Sequence, residues 1–442
     1  MVNETGLGYE YDAGGDRARF WRRFPIESDG YRQQKELFVA GSPGSSPTEV
    51  FLICLITATS LIMHHVVSIY LSPKSSLLRF FLEFACVPAV ILGSIFYPEY
   101  AFAIWLSQAA LTGAILLLSK PSLFAANDGP EVLSSSRLRF LTWFRSAFML
   151  CTCCCILAVD FPLFPRRLVK TESFGISVMD TGVGFVVLSS GIVSKQARAG
   201  PRAGLLKVLR STLPMLVMGF ARLASTRAVD YQMHLSEYGV HWNFFFTLAM
   251  VSLVSYLAGP LIDRYSAAIM AIIMAVLSQL LISTNIEFLL ESDRGNLFSA
   301  NREGIFSSLG YLSLYFFGVE IGQRVARAKS TESWWRLAVD LSTASAFCFT
   351  IVAILGPPNV SRRFANLPFV IWIVALNTAV LALELVYDLV SVRGRSHCAI
   401  NLSMQTVYQG DFIALVCVAS YLLIICVISA ALDRHKVSLK FW

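Results

Sequence analysis

The stretch LAVDFPLFPRRLVKTESFG, residues 157–175, places one carboxylate and several basic side chains within a few positions at the end of an apolar segment. Pro162 and Pro165 cannot continue a helix, so we expect the backbone to leave the helix near Asp160. The negative end of the helix dipole and partial burial both raise the pKa of a carboxyl group, which favours a role as general base. With Lys170 close by to stabilise developing negative charge, this pair could carry out acyl transfer to a hydroxyl group.

A purely structural explanation of the same stretch stays open at this point. Asp160 could simply end the helix, and the basic residues after it could extend toward lipid head groups at a membrane surface. Those cations, Arg166, Arg167 and Lys170, also favour the charged form of a neighbouring carboxylate, which opposes the effects of the helix end. The residues alone do not decide between these alternatives.

Other polar stretches carry residues suited to binding a lipid head group. In EYGVHWN, residues 237–243, the polar side chains could hydrogen-bond a substrate, or the aromatic ones could anchor a helix at the membrane interface. In SANREG, residues 299–304, and SRRFANLP, residues 361–368, arginines could hold a phosphodiester through charge-assisted hydrogen bonds. The candidates for substrate binding are Arg166, Arg167, Asp180, His241, Asn243, Asn301, Arg302, Arg362, Arg363 and Asn366.

The stretch SANREG and the candidate Asp180 have equally simple structural explanations. Ser299 or Asn301 could cap the following helix, with Glu303 in its first turn, although a cap does not explain Arg302. Asp180 lies inside an apolar segment, where an ionisable group faces either a cavity or a partner. The neighbouring Gly182 and Gly184 would let another helix or a ligand approach closely. Both explanations of Asp180 stay open.

The elements that must position these residues are membrane helices. The chain has 442 residues, of which 55% are hydrophobic and 15% charged, with a mean hydropathy of +0.61, values that exclude an ordinary soluble domain. Spanning strands would give short alternating segments, which are absent from the sequence. We predict an all-α polytopic bundle with about 12 apolar spans. They cover residues 49–71, 78–96, 99–119, 138–160, 174–193, 204–223, 242–259, 265–285, 304–321, 338–356, 368–390 and 410–432.

Three regions follow from this pattern: a polar N-terminal tail, residues 1–48, a multi-span domain, residues 49–434, and a short C-terminal tail, residues 435–442. Connections after the third, fifth and ninth spans are rich in Lys and Arg, which predicts that this face is cytosolic and that the N-terminus is lumenal. The opposite face would then receive all the polar stretches described above. Four specialised loops on one face suggest one shared polar site.

Several other chemistries are excluded by missing motifs. None of the six histidines begins the acyltransferase spacing His-x-x-x-x-Asp, and no Gly-x-Ser-x-Gly elbow or P-loop occurs. Paired Cys-x-x-Cys motifs for structural zinc are absent, so we expect no metal site and no cofactor. The net charge of +7 is spread over many loops, which does not favour nucleic-acid binding.

Long motifs of this chain resemble those of the inositol acyltransferases of glycosylphosphatidylinositol (GPI) anchor synthesis, the PIG-W type. The resemblance begins near residue 35 and continues to the C-terminus, with the motifs in the family's order. They are KELFVAG with GSS (35–46), LAVDFPLFPRRLVKTESFGISVMDTGVGFVVLSSGIVS (157–194), EYGVHWNFFFTL (237–248), FSANREGIFSSLGYLS (298–313), VSRRFANLPFVIW (360–372) and NLSMQT (401–406).

The resemblance implies an enzyme of the endoplasmic reticulum membrane. Such an enzyme moves a fatty acyl chain, typically palmitoyl, from acyl-CoA as co-substrate to the inositol 2-hydroxyl of glucosaminyl-phosphatidylinositol. The family's catalytic aspartate and lysine match Asp160 and Lys170. Among the candidates drawn from the residues themselves, Arg302, Arg362 and Arg363 could hold the phosphate of such a lipid. An alternative from another class is a lipid transporter or scramblase that binds a similar head group without chemistry.

The chain departs from the family pattern in two places. Its polar extension before residue 35 is longer than usual and carries no family motif. The family, with about thirteen spans, also has an apolar helix shortly before NLSMQT, which this chain lacks by our interpretation. YDLVSVRGRSHCAINLSMQT, residues 387–406, instead runs directly from the eleventh predicted span into that motif.

Overall fold

A computed structural model describes residues 42, 44–118, 138–159, 163–198, 204–228 and 235–390, and every regular element in these ranges is helical. The predicted all-α polytopic fold is confirmed. The helices are α1 (Pro47–Leu71), α2 (Ser76–Cys86), α3 (Pro88–Phe96), α4 (Ala101–Leu118), α5 (Arg139–Ala158), α6 (Val178–Ile192), α7 (Leu205–Ala228), α8 (Leu235–Tyr238), α9 (Phe244–Leu257), α10 (Gly259–Tyr265), α11 (Ala267–Thr284), α12 (Ile286–Glu291), α13 (Leu297–Ala300), α14 (Arg302–Arg327), α15 (Thr331–Leu355) and α16 (Leu367–Val390).

Seven helices among the described residues are long and apolar enough to cross a membrane: α1, α4 with its preceding turn, α5, α11, α14, α15 and α16. Helices α9 and α10 pass the same criteria together, although they are bent by 58° at Ala258. The predicted count of about twelve spans is not confirmed. Residues 78–96 fall on α2 and α3, which are separated where Pro88 begins a new helix. The twelfth predicted span, residues 410–432, lies outside the described residues.

Two other predicted spans are helical but do not meet the combined criteria of length and apolar composition. Residues 174–193 form α6, which has only 15 residues because its first turn begins after the polar loop that ends at Ser177. Residues 204–223 form the longer α7, which carries several basic residues and Pro214 inside it. Polar and basic residues therefore limit the apolar length of these segments.

The chain divides into two compact units. The first contains residues 1–50, 152–324 and 347–375. Within it, α6 and α14 approach so closely that a Cβ atom at Gly318 would overlap the carbonyl oxygen of Leu188, and one at Gly191 would overlap that of Tyr315. Gly184 similarly faces Ile373 of α16. Small residues allow helix backbones to meet in membranes, so glycines position the helix that carries Asp180.

The second unit contains residues 51–151, 325–346 and 376–442. Its helices are joined by hydrogen bonds between buried side chains, such as those from Thr59 to Gln108 and from Gln108 to Ser60. Tyr387 of α16 lies 2.6 Å from Nδ1 of His65 on α1. One turn before Asp388, the fully buried Glu384 has no hydrogen-bond partner among the described residues.

Candidate functional site

A folded loop, residues 163–177, connects α5 to α6 within the first unit. Phe164 and Leu168 are buried and anchor it, and a short 3₁₀ turn runs between them over Arg166–Leu168. The backbone nitrogen of Gly175 donates to the carbonyl oxygen of Val360 at 2.8 Å, which attaches the loop to the segment before α16. The loop therefore has a defined backbone rather than a frayed helix end.

The two arginines of the loop are directed into the protein. Arg167 donates from Nε and Nη2 to both carboxylate oxygens of Glu49, at 3.0–3.2 Å. Arg166 donates from Nη1 to the carbonyl oxygen of Val159 at 3.0 Å, which ties the loop to the end of α5. These hydrogen bonds fix the geometry of the loop. Both arginines were predicted to bind substrate, and that role stays a prediction.

Lys170 is the loop's ammonium group, and its Nζ donates to Oε1 of Glu237 at 2.7 Å. The Lys170 side chain is 35% exposed, whereas that of Glu237, on the short helix α8, is 17% exposed. Such a pair holds the ammonium in one place while leaving part of it accessible. Asp160, the predicted general base, lies outside the described residues.

Asp180 fixes the backbone next to Lys170. Its carboxylate accepts hydrogen bonds from the backbone nitrogen of Thr171 at 3.2 Å and from the Thr171 hydroxyl at 2.9 Å. The same carboxylate accepts a hydrogen bond from Nε of Arg362 at 2.8 Å, and both side chains are buried. Ser177 begins α6 as its N-cap and accepts from the Asp180 nitrogen. Asp180 therefore faces a partner, Arg362, which agrees with one of the two interpretations of Asp180 that the sequence left open.

The charges around α8 have a clear electrostatic consequence. Burial alone would raise the pKa of the Glu237 carboxyl group, but the adjacent Lys170 ammonium and Arg362 guanidinium lower that pKa to about 2. Burial also disfavours the charged form of Arg362, yet the carboxylates of Glu237 and Asp180 raise the pKa of its guanidinium above the ordinary value. Burial raises the pKa of the Tyr238 hydroxyl to about 12. The two cations therefore favour the carboxylate form of Glu237, whereas burial raises the pKa of the Asp180 carboxyl group against the opposing effect of Arg362.

A second ionic cluster surrounds the fully buried Glu303 at the start of α14. Its carboxylate accepts from Nη2 of Arg294 at 2.6 Å and from Nη2 of Arg363 at 2.9 Å. Arg363 also donates from Nη1 to the hydroxyl of Ser173 at 3.0 Å, which connects this cluster to the loop containing Lys170. Arg302 donates instead to the carbonyl oxygen of Leu289 at 3.0 Å, so its guanidinium closes the turn before α13.

The three predicted asparagines all support local backbone structure. Asn243 caps α9 by accepting from the nitrogens of Phe245 and Phe246. Asn301 accepts from the backbone nitrogens of His241 at 2.8 Å and Trp242 at 2.9 Å. Asn366 accepts from the nitrogens of Ser361 at 3.0 Å and Phe369 at 3.1 Å. Neither Asn301 nor Ser299 makes a side-chain bond to the first turn of α14 among the described contacts; Asn301 instead brings the backbone of His241 and Trp242 to this segment. Binding of substrate by these residues stays a prediction.

Glu237 was not among the predicted site residues, although EYGVHWN begins with it. Nothing local distinguishes this residue, because its partner Lys170 lies 67 positions earlier in the chain. The available signal in the sequence was that Glu237 is a carboxylate in an aromatic stretch and that this stretch is predicted on the same side of the membrane as the loop. No group of three or more His, Cys, Asp or Glu side chains among the described residues is arranged to hold a metal ion.

Two guanidinium groups retain unused donors in buried positions. Nη1 of Arg362 and Nε of Arg363 have no hydrogen-bond partner within the described ranges. Unsatisfied buried donors are uncommon and costly, and an anion is the natural partner for a guanidinium. The arrangement can thus offer a partly exposed ammonium at Lys170 and spare arginine donors on the segment that is attached to its loop.

Comparison with known proteins assigns this architecture to a family. Residues 31–397 match the family model described as GWT1. The phosphatidylinositol-glycan biosynthesis class W protein of Dictyostelium discoideum is 29% identical over 498 residues, covering 94% of this chain and 100% of that protein. The GPI-anchored wall transfer protein 1 of Aspergillus oryzae is 35% identical and covers 80% of each chain. The protein of the same name in Saccharomyces cerevisiae is 32% identical, covering 78% of this chain and 81% of its own length.

The match includes every element that positions the loop, α8 and the segment before α16. The resemblance of the motifs to the PIG-W type is confirmed by these relatives. Apolar helices long enough to span a bilayer accompany the match. This multi-pass membrane protein therefore belongs to the GWT1 family, whose named relatives act in GPI-anchor biosynthesis.

Proposed function

We propose that the protein transfers a fatty acyl chain, typically palmitoyl, from acyl-CoA to the inositol 2-hydroxyl of glucosaminyl-phosphatidylinositol. The observation that carries the proposal is the Lys170 ammonium, which is partly exposed and held by Glu237 on a loop of defined backbone. This loop follows Asp160, and the two residues match the family's catalytic pair by motif. Membership of the GWT1 family supports a role in GPI-anchor biosynthesis.

In the proposed reaction, Asp160 accepts the proton of the inositol hydroxyl while the oxygen attacks the thioester carbonyl carbon. The carbonyl oxygen gains negative charge, which the Lys170 ammonium stabilises. The carbon–sulfur bond then breaks, and coenzyme A leaves as the thiolate, which takes up a proton. Transfer is direct, because no loop supplied a convincing activated serine or cysteine for a covalent intermediate.

Arg362 and Arg363 are the better candidates for the lipid phosphate among the three arginines. Each has a buried donor without a partner among the described residues, and charge-assisted hydrogen bonds to phosphate would satisfy both. Arg302, in contrast, is occupied by the carbonyl oxygen of Leu289 and the hydroxyl of Ser292. We therefore assign Arg302 to the support of the turn and the other two to the acceptor lipid.

The reaction takes place, in this proposal, in the endoplasmic reticulum membrane with the loop on the lumenal side. GPI-anchor biosynthesis by the relatives supports the compartment, and the distribution of Lys and Arg between loops supports the orientation. Cysteine labelling of a Ser173→Cys variant in sealed microsomes checks the orientation. Labelling only after the microsomes are opened is expected.

The direct test supplies membranes containing the protein with labelled acyl-CoA and glucosaminyl-phosphatidylinositol. The wild type should give an acylated inositol lipid that resists phosphatidylinositol-specific phospholipase C. Asp160→Asn and Lys170→Met should abolish this product at unchanged protein levels, whereas Glu172→Gln, an exposed change on the same loop, should retain it. Near-normal turnover by Asp160→Asn would remove the proposed mechanism. Lipid movement without acylation would favour a transporter instead.

A further inference from the structure

We propose that Glu237 is a positioning residue that holds the Lys170 ammonium in the orientation required for acyl transfer. The inference deepens the proposed function and rests on it. Glu237 acts through Lys170 rather than on the reacting atoms. Its role is to make one rotamer of a flexible side chain dominant before substrate arrives.

The geometry holds Lys170 at both ends. Its Nζ donates to Oε1 of Glu237 at 2.7 Å, while the neighbouring backbone nitrogen, that of Thr171, donates to Asp180. A lysine side chain has four torsions about carbon–carbon bonds, and fixing them costs conformational entropy. Glu237 offsets this cost in the resting protein, so the ammonium is already ordered when a carbonyl oxygen becomes negative.

The partner itself is held firmly. Arg362 donates to Asp180 at 2.8 Å and also attracts the Glu237 carboxylate electrostatically. Positive and negative groups alternate through Lys170, Glu237, Arg362 and Asp180, so each charge has an opposite neighbour. Tyr238, the next residue on α8, is buried, which anchors the backbone beside Glu237.

The chain supplies a matched control pair on the same loop. Both carboxylate oxygens of Glu49 accept hydrogen bonds from Arg167, which lies three residues before Lys170 on the loop. The side chains of Glu49 and Glu237 are 16% and 17% exposed, so their neutralisation removes ion pairs of similar burial. A role that is merely structural predicts similar losses of activity for both changes. A positioning role predicts loss for Glu237 alone.

The experiment compares purified Glu237→Gln, Glu237→Asp and Glu49→Gln proteins with the wild type, measuring kcat and both KM values. We expect Glu237→Gln to lower kcat by about 10- to 100-fold, because a displacement of about 1 Å has effects of that size. KM for acyl-CoA and for the acceptor should stay within about twofold, since Lys170 acts on charge that develops in the transition state. Glu237→Asp should recover part of kcat, and Glu49→Gln should stay within about threefold of wild type.

Wild-type kcat in Glu237→Gln, or equal losses of kcat in Glu237→Gln and Glu49→Gln, would overturn the positioning role. If Glu237→Gln fails to fold, Glu237→Asp decides, because this change keeps the charge but withdraws the carboxylate by one methylene group. A kcat indistinguishable from that of the wild type would then also overturn the positioning role. Failure of the proposed function has a separate signature, because acylation would then persist in Asp160→Asn and Lys170→Met. Loss in those variants with normal turnover in Glu237→Gln removes only the positioning role.

Discussion

The carboxylates of Asp180 and Glu237 in the first unit and the carboxyl group of Glu384 in the second lie in contrasting surroundings. In the first unit, Asp180 accepts hydrogen bonds from Thr171 and Arg362, and Glu237 is paired with Lys170. In the second unit, Glu384 is fully buried on a membrane helix without a hydrogen-bond partner among the described residues. A buried charge is retained at moderate cost only when it is paired. The first arrangement can therefore keep charged groups next to the Lys170 ammonium, whereas the surroundings of Glu384 do not favour an isolated charge.

The largest effect should come from breaking the buried pair of the first unit. Asp180→Asn removes the carboxylate that accepts from Nε of Arg362 and leaves Glu237 as the remaining anion near this buried guanidinium, and breaking a buried pair costs about 3–5 kcal/mol. We expect a large fall in the temperature at which detergent-purified protein loses its monodisperse peak. Glu49→Gln, which disrupts a less buried pair, is the control and should shift this temperature much less. Equal shifts of this temperature in the two variants would contradict the expectation that the more deeply buried pair contributes more to stability.

The second test disturbs the helix contact that carries Asp180. Gly318→Ala would place a Cβ against the carbonyl oxygen of Leu188, and overpacking of this kind costs about 1–3 kcal/mol. Gly113→Ala on α4 is the control, because no atom lies within 4 Å of a Cβ built there. Thermal stability should fall for the first variant and stay level or rise slightly for the second. A stable Gly318→Ala protein would show that α6 and α14 can separate without loss.

The dependence of stability on pH tests the paired state of Glu237. Its pKa in the folded protein is about 2, below the ordinary value of 4.5, so the folded state binds its proton less readily than the unfolded state. The stabilisation is therefore complete above about pH 4.5 and is lost as the pH falls toward 2. The difference in melting temperature between wild type and Glu237→Gln should be constant from neutral pH to about 5.5 and shrink below about 4.5. A difference independent of pH would argue against the charged pair.

The smallest effect is expected in the second unit. Glu384→Gln removes a carboxyl group that has no partner within the described ranges, so the free energy of unfolding should change by less than about 1 kcal/mol. Asp388→Asn, one turn further along α16, is the matched change, because Asp388 forms a salt bridge with Arg139. It should destabilise the protein more than Glu384→Gln does. The reverse order, measured by the same thermal assay, would break the contrast between paired and unpaired carboxylates.

Local features of this fold could be predicted from the sequence, because they depend on neighbouring residues. The prolines of the loop correctly predicted a helix end, and one of the alternatives for Asp180 was a partner, whereas Asn301 bonds the distant backbone of His241 and Trp242 rather than capping α14. The apolar pattern located helices, but it overestimated the spans where α6 is short and where Pro88 divides a helix. Apolar length is only one of the conditions for crossing a membrane.

Long-range pairing could not be predicted in the same way. Arg362 was selected as a phosphate ligand because of its charge, yet its Nε is committed to Asp180. Glu237 was overlooked because a single sequence gives no indication that α8 meets the loop containing Lys170. Such pairings depend on how helices pack, and packing is set by contacts such as those of Gly318 and Gly191 rather than by local propensity.

The bond between Asp180 and Arg362 joins residues 182 positions apart, and this separation has a consequence for biosynthesis. A ribosome-bound chain that ends before Arg362 holds the loop and α6 but lacks the cation that completes them. During synthesis, Asp180 therefore has no Arg362 to pair with until the segments from α7 to α15 have been made. Contacts of such long range form late and slowly, which lengthens the period in which quality-control factors can bind the incomplete bundle. The contacts between the loop and Arg362 can therefore form only after the segment before α16 has been synthesised.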